Sequence, residues 1–216
     1  MIGYAARPKS AAAGRAPAVL VVHENRGLLE HVKDVCRRLA TAGFVGVSLD
    51  LLSPQGGAET LSDSGAYSAE LAKRPAADMV ADLQAALRCA AGIADPGRQG
   101  TVGFCFGGGL VWQLLVAGTP LKAAVPFYGP APQTVTALGS TKTAVFAVYA
   151  EQDTRITASA PQMEEQLKRS GTPYQITVYP GVNHAFHNDT NPPARYGAMQ
   201  AQQAWVATID WFRKYL

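Results

Sequence analysis

Residues 16–23 read APAVLVVH, an almost unbroken apolar run rich in valine. A strand of that kind is buried on both faces, which happens in parallel sheets covered by helices on each side. The segments that follow keep to this scheme. Over 30–42, Val32, Val35, Cys36 and Leu39 recur at i, i+3, i+4 and i+7, one apolar stripe of a helix that Gly43 terminates. FVGVSLD (44–50) reads as the next strand, and 51–65, with Pro54, Gly56 and Gly57, as a loop. Helices are expected over 66–73 and 76–91, the latter with Met79, Leu83, Leu87 and Ala90 inward. The remaining strands are expected over 100–104, 121–128, 143–150 and 173–180, and helices over about 107–117, 158–170 and 197–215. Trp205, Ile209, Phe212 and Leu216 form the stripe of the last helix, and residues 2–7 a short edge strand. Strands and helices thus alternate along nearly the whole chain, which predicts an α/β fold. Its sheet is mostly parallel, of about seven strands, with helices on both faces.

The bulk properties exclude several function classes. At 216 residues the chain suits one domain, 1–216, and its 48% hydrophobic and 16% charged content suits a sizeable core. The net charge of +3 is scattered, with no basic run to bind nucleic acid, and no apolar stretch approaches a membrane span. Cys36, Cys89 and Cys105 are odd in number and widely spaced, so free thiols are expected; without a C-x-x-C pair, so is the absence of a zinc site. Cys36 and Cys89 lie within amphipathic helices and read as buried structural residues. No metal or organic cofactor is expected. The opening MIGYAARPKS lacks a signal-peptide core, which favours the cytoplasm, or the periplasm or exterior if an upstream signal has been trimmed.

In open α/β sheets ligands bind beyond the carboxyl ends of the strands. After the strand GTVGF comes C-F-G-G-G and then a helix. Gly103-x-Cys105-x-Gly107 at such a junction matches a nucleophile elbow with cysteine in place of serine. The helix N-terminus beneath it is expected to lower the thiol's pKa. A P-loop is ruled out by the missing lysine. Among the histidines, His184 in GVNHAFHND follows the last strand and fits the chain order nucleophile, acid, histidine. His31 is expected to face solvent, His23 to be a satisfied core residue, and His187 to sit in a polar loop. TAVFAVYAEQDTRI supplies Glu151 and Asp153; Asp153, deeper in the loop, is the better partner for the histidine. In HENRG (23–27), Glu24 is either an exposed partner of Arg26 or a carboxylate that contacts Cys105. The N–H groups of Asn25 and Phe106 are candidate oxyanion donors.

With these residues in place, the sequence resembles the dienelactone hydrolase family of α/β-hydrolases. The stretches PAVLVVHENRGL, RRLATAGFVGVSLDLL, VGFCFGGG, AAVPFYG, YAEQDTRI and YPGVNHAFHND carry the likeness. It implies the α/β-hydrolase fold, a Cys105–His184–Asp153 triad, and a glutamate, matching Glu24, that contacts the resting thiol and assists its deprotonation. In typical members arginines hold the carboxylate of dienelactone. One stands four residues after the triad histidine, where this chain has Asn188, and Ala185 replaces a serine beside that histidine. Arg74 lies in the region of a second arginine, and Tyr128 ends a strand near the site. Arg74, Asn188 and Tyr128 are therefore candidate substrate contacts. These departures suggest a divergent branch that shares HENRGL and NHAFHND and often carries an upstream export signal. The likeness begins at the relatives' second strand, so an amino-terminal piece is expected ahead of Met1.

The expectation is a carboxylic ester or lactone hydrolase that works through a cysteine thioester. Its partner is a small-molecule substrate, and it is a monomer or small homo-oligomer. The alternatives are a non-catalytic or redox-sensing cysteine protein on the same scaffold, and, more remotely, a cysteine peptidase.

Overall fold

A computed structural model describes residues 1–9, 15–61 and 63–216; residue 62, within the loop expected over 51–65, lies outside the described residues. Seven strands form one sheet: β1 (Gly3–Ala6), β2 (Pro17–Val22), β3 (Val45–Leu49), β4 (Asp95–Phe104), β5 (Ala123–Phe127), β6 (Ala144–Ala150) and β7 (Tyr174–Tyr179). The spatial order is β1-β3-β2-β4-β5-β6-β7, with β1 antiparallel to β3 and every other pairing parallel. The connecting helices are α1 (Glu30–Thr41), α2 (Ser64–Ala72), α3 (Ala76–Ala90), α4 (Phe106–Val116), α5 (Thr154–Thr157), α6 (Ala160–Ser170) and α7 (Ala198–Tyr215).

Period-2 alternation along β2 divides the core. Ala18, Leu20 and Val22 pack with residues of α2, α3, α4 and α6 on one face, while Val19 and Val21 pack with α1 and α7 on the other. The apolar stripes read from the sequence are the buried faces of α1 and α3. Cys36 is buried as expected, but Cys89 is exposed, because it falls outside the stripe of Met79, Val80, Leu83, Leu87 and Ala90. β4 starts five residues before the expected 100–104: Pro17 pairs with Asp95, the register then shifts, and Ala18 pairs with Gln99. The polar stretch DPGRQ carries no alternation that could have announced this. The four residues of α5 are likewise too few to show a period. No helix among the described residues is long and apolar enough to cross a membrane.

The strand order reverses between β2 and β4, so the loops after these two strands diverge and leave a crevice at their carboxyl ends. That places Glu24, just past β2, across from Cys105, just past β4. The elbow is tight because α4 begins directly against β2. A Cβ on Gly107 would stand 2.3 Å from the carbonyl oxygen of Val22 and 2.5 Å from that of His23. Both contacts are to backbone, which cannot move aside cheaply. Gly107→Ala is therefore expected to destabilise the protein by about 2 kcal/mol through overpacking. At this chain length that lowers Tm by roughly 4–8 °C, which thermal unfolding measures directly.

Candidate active site

Cys105 has φ 54° and ψ −117°, a strained conformation for a residue with a side chain. Its N–H donates to Phe127 O at 3.1 Å, and its carbonyl accepts from Gly109 N–H at 3.1 Å. The turn is thus fixed to β5 on one side and α4 on the other. His184 Nε2 lies 2.9 Å from Cys105 Sγ, and His184 Nδ1 lies 2.5 Å from Asp153 Oδ2. A carboxylate only accepts, so Nδ1 carries the proton and the thiol donates to Nε2. Asp153 precedes α5 but does not cap it with its side chain, so the buried carboxylate is left to face His184. Glu151 is exposed, accepts from Gly181 N–H at 2.8 Å, and so braces the histidine loop from outside.

The electrostatics differ from the sequence expectation. The Cys105 thiol is pushed up to about 11, first by burial and then by the charge of Glu24, with Asp153 adding to it. The Phe106 N–H and the Arg155 charge pull the other way without prevailing. A helix N-terminus is worth little against desolvation plus two carboxylates. Glu24 is not the partner of Arg26. Its Oε2 accepts from Asn188 Nδ2 at 2.7 Å, and its Oε1 is buried without a hydrogen-bond partner among the described residues.

Glu24, Asn25, Arg26, Gly65, Ser68, Cys105, Arg155, His184, Ala185, Asn191 and Arg195 line one cleft of about 480 Å³. Phe106 is the first residue of α4, so its N–H has no acceptor within the helix and is directed at the sulfur. Arg74 lies outside the cleft lining: it bridges Asp82 at 2.7 Å and donates to the Leu51 carbonyl, committed to its own neighbourhood. Tyr128 is fully buried at φ 35°, its ring edge-on to His184 at 5.1 Å. It supports the histidine from below and does not reach the opening. Sequence reasoning missed Arg155 and Arg195. Arg155 lies only two residues after Asp153, the signal that could have found it; Arg195 has no comparable signal. Among the described residues no cluster of three or more His, Cys, Asp or Glu could hold a metal ion.

The family model for the dienelactone hydrolase family matches residues 1–216. The chain belongs to that family. A protein of Methylorubrum extorquens assigned as a carboxymethylenebutenolidase is 36% identical over 225 residues, covering 98% of this chain and 76% of that one. A crystal structure from Klebsiella pneumoniae, assigned as a dienelactone hydrolase, superposes with a TM-score of 0.88 at 32% identity, covering 99% of this chain and 92% of that one. The crystal structure of a dienelactone hydrolase-like promiscuous phosphotriesterase from metagenomic libraries superposes with a TM-score of 0.78 at 23% identity, covering 96% and 89% of the two chains; it speaks to the fold alone.

Three histidines of this dienelactone hydrolase family member surround the site without touching the sulfur. His23 is the satisfied core residue expected, its Nε2 accepting from Leu51 N–H at 3.1 Å. His31 and His187 depart from expectation, since both are buried. His31 adjoins the α1 stripe, and His187 stacks on Phe104 at 5.0 Å and packs against Phe127 and Trp205. Burial, helped by the charges of His31 and Arg38, pulls His187 down from 6.5 to about 3. Between those values the unfolded chain binds a proton that the folded chain refuses, so stability falls as pH drops from about 6.5 toward 3, by up to about 1.4 kcal/mol per unit. His187→Phe keeps the aromatic packing and removes the titration. On going from pH 7.5 to pH 5, wild type is expected to lose about 2 kcal/mol more than the variant, as measured by denaturant unfolding at both pH values.

Proposed function

We propose that the protein hydrolyses carboxylic ester or lactone bonds at Cys105, through a thioester acyl-enzyme. The observation that carries this reading is the unbroken chain from Cys105 Sγ to His184 Nε2 (2.9 Å) and from His184 Nδ1 to Asp153 Oδ2 (2.5 Å), opening into the cleft. His184 accepts the thiol proton as the sulfur attacks the carbonyl carbon, and Asp153 stabilises the imidazolium that forms. The N–H groups of Phe106 and Asn25 are the candidate donors to the oxyanion. Collapse of the tetrahedral intermediate expels the alkoxide or enolate, which takes the proton from His184 and leaves the acyl group on sulfur. His184 then deprotonates a water that attacks the thioester carbonyl, and the departing thiolate regains that proton. A thiol held high favours proton transfer concerted with substrate binding over a standing thiolate. That also disfavours the redox-sensor alternative, which calls for a low-pKa thiol.

Arg26, Arg155 and Arg195 line the cleft and form no ion pair among the described residues. This supports a substrate that bears an anionic group, met by these arginines and not by Arg74 or Asn188. Cys105→Ala is expected to lower the kcat for p-nitrophenyl acetate by at least about 10³-fold, and wild-type-like turnover in that variant would sink the reading. Arg155→Ala is expected to raise KM for a carboxylate-bearing aryl ester about tenfold and to leave the neutral ester nearly unaffected. Steady-state kinetics on the two esters separates these effects.

A further inference from the structure

The turn after His184 is fastened in two opposite directions. Toward α1, Asp189 Oδ1 accepts from His31 Nδ1 at 2.9 Å and Oδ2 accepts from Arg38 Nη2 at 2.7 Å. Arg38 is itself held by Asp34 at 2.5 Å, one turn earlier on α1. Toward the cleft, Asn188 Nδ2 donates to Glu24 Oε2 at 2.7 Å. The amide cannot flip. Its Oδ1 already accepts from Thr190 N–H at 3.0 Å and Thr190 Oγ1 at 2.7 Å, so only Nδ2 is available to the carboxylate. His187 anchors the same turn in the aromatic core between these two ties.

Asn188 holds this carboxylate with a neutral amide. It fixes the position of the carboxylate without neutralising the charge. Glu24 lines the same cleft as the sulfur and disfavours its ionisation, with one carboxylate oxygen bonded to Asn188 and the other buried and unpartnered among the described residues. The remaining charged groups that act on Cys105 are Asp153, before α5, and Arg155, within it, while His184 faces the sulfur from the loop after β7.

We propose that Asn188 and Asp189 are positioning residues: a latch from α1 through this turn that pins the Glu24 carboxylate beside the Cys105 thiol and thereby sets how readily the thiol ionises. The proposal rests on Cys105 being the nucleophile, but its test reads thiol chemistry and needs no ester turnover. Failure of the esterase reading and failure of the latch are therefore separate results.

The test follows the pH dependence of Cys105 alkylation by iodoacetamide. It uses a Cys89→Ser background, because Cys89 is exposed and would react, whereas Cys36 is buried. Releasing Glu24 by Asn188→Ala lets the carboxylate turn away, so the alkylation midpoint is expected to fall by about half to one pH unit. Glu24→Gln is expected to lower it as well. Adding Asn188→Ala to Glu24→Gln is then expected to produce no further shift. Asp189→Asn keeps the shape and removes the charge that ties the turn to α1, and a smaller shift of the same sign is expected. A midpoint unmoved in Asn188→Ala, or moved equally with and without Glu24, overturns the proposal. If Asn188→Ala does not fold, an unmoved midpoint in folded Asp189→Asn overturns it instead.

Discussion

The absence of a side chain at Gly107 is the constraint on which the rest of the site depends. The first turn of α4 lies on the Val22 and His23 carbonyls at the end of β2, closer than any Cβ would allow. That approach forces Cys105 into positive φ and lifts its sulfur above the sheet. β2 and β4 pair as far as Val22 and Gly103, so Glu24 and Cys105, just past them, share one cleft. A looser turn would still give a sheet and a helix, but the thiol would no longer be held in the strained conformation that raises it above the sheet.

Two fields then compete at the sulfur. The N-terminus of α4, the Phe106 N–H and Arg155 favour the thiolate; burial, Glu24 and Asp153 oppose it and win, carrying the thiol from 9.0 to about 11. The difference costs on the order of 3 kcal/mol for a free thiolate. A sulfur that waits as a thiol is protected from stray electrophiles and oxidants. In the proposed mechanism it becomes reactive only where His184 can take its proton and the charge can pass to the substrate's carbonyl oxygen. In this arrangement His184 has to lie in hydrogen-bond contact with Sγ at rest, which the 2.9 Å separation provides.

Much of this was legible in the chain before any coordinates. The valine-rich run of β2 and the stripes of α1 and α3 fixed the layer order, because periodicity reports directly on burial. The loops holding Cys105, Asp153 and His184 could be located because each follows a strand, and open sheets gather such loops at one end. Properties that arise only from three-dimensional neighbours were not legible. His31 reads as a polar residue at a helix start, yet it is buried against Asp189, 158 positions away. His187 reads as part of a polar loop, yet it stacks on Phe104. The direction of the thiol shift was missed for the same reason. A helix dipole can be inferred from local sequence, whereas the desolvation and the Glu24 charge that outweigh it depend on how β2, β4 and the last loop meet.

A neutral side chain at Asn188 has a consequence for where the proposed anionic substrate would be held. Asn188 is committed within the protein: one N–H of its amide serves Glu24 and its oxygen serves Thr190. The side chain is buried, and a substrate carboxylate approaching it would meet the charge of Glu24 first. The positive charge of the cleft lies instead on Arg26, Arg155 and Arg195, all exposed side chains. On the proposed reading, anchoring through exposed arginines favours flexible or larger anions over one compact lactone held rigidly. On that reading the same neutral side chain that leaves Glu24 without a cationic partner also moves recognition outward.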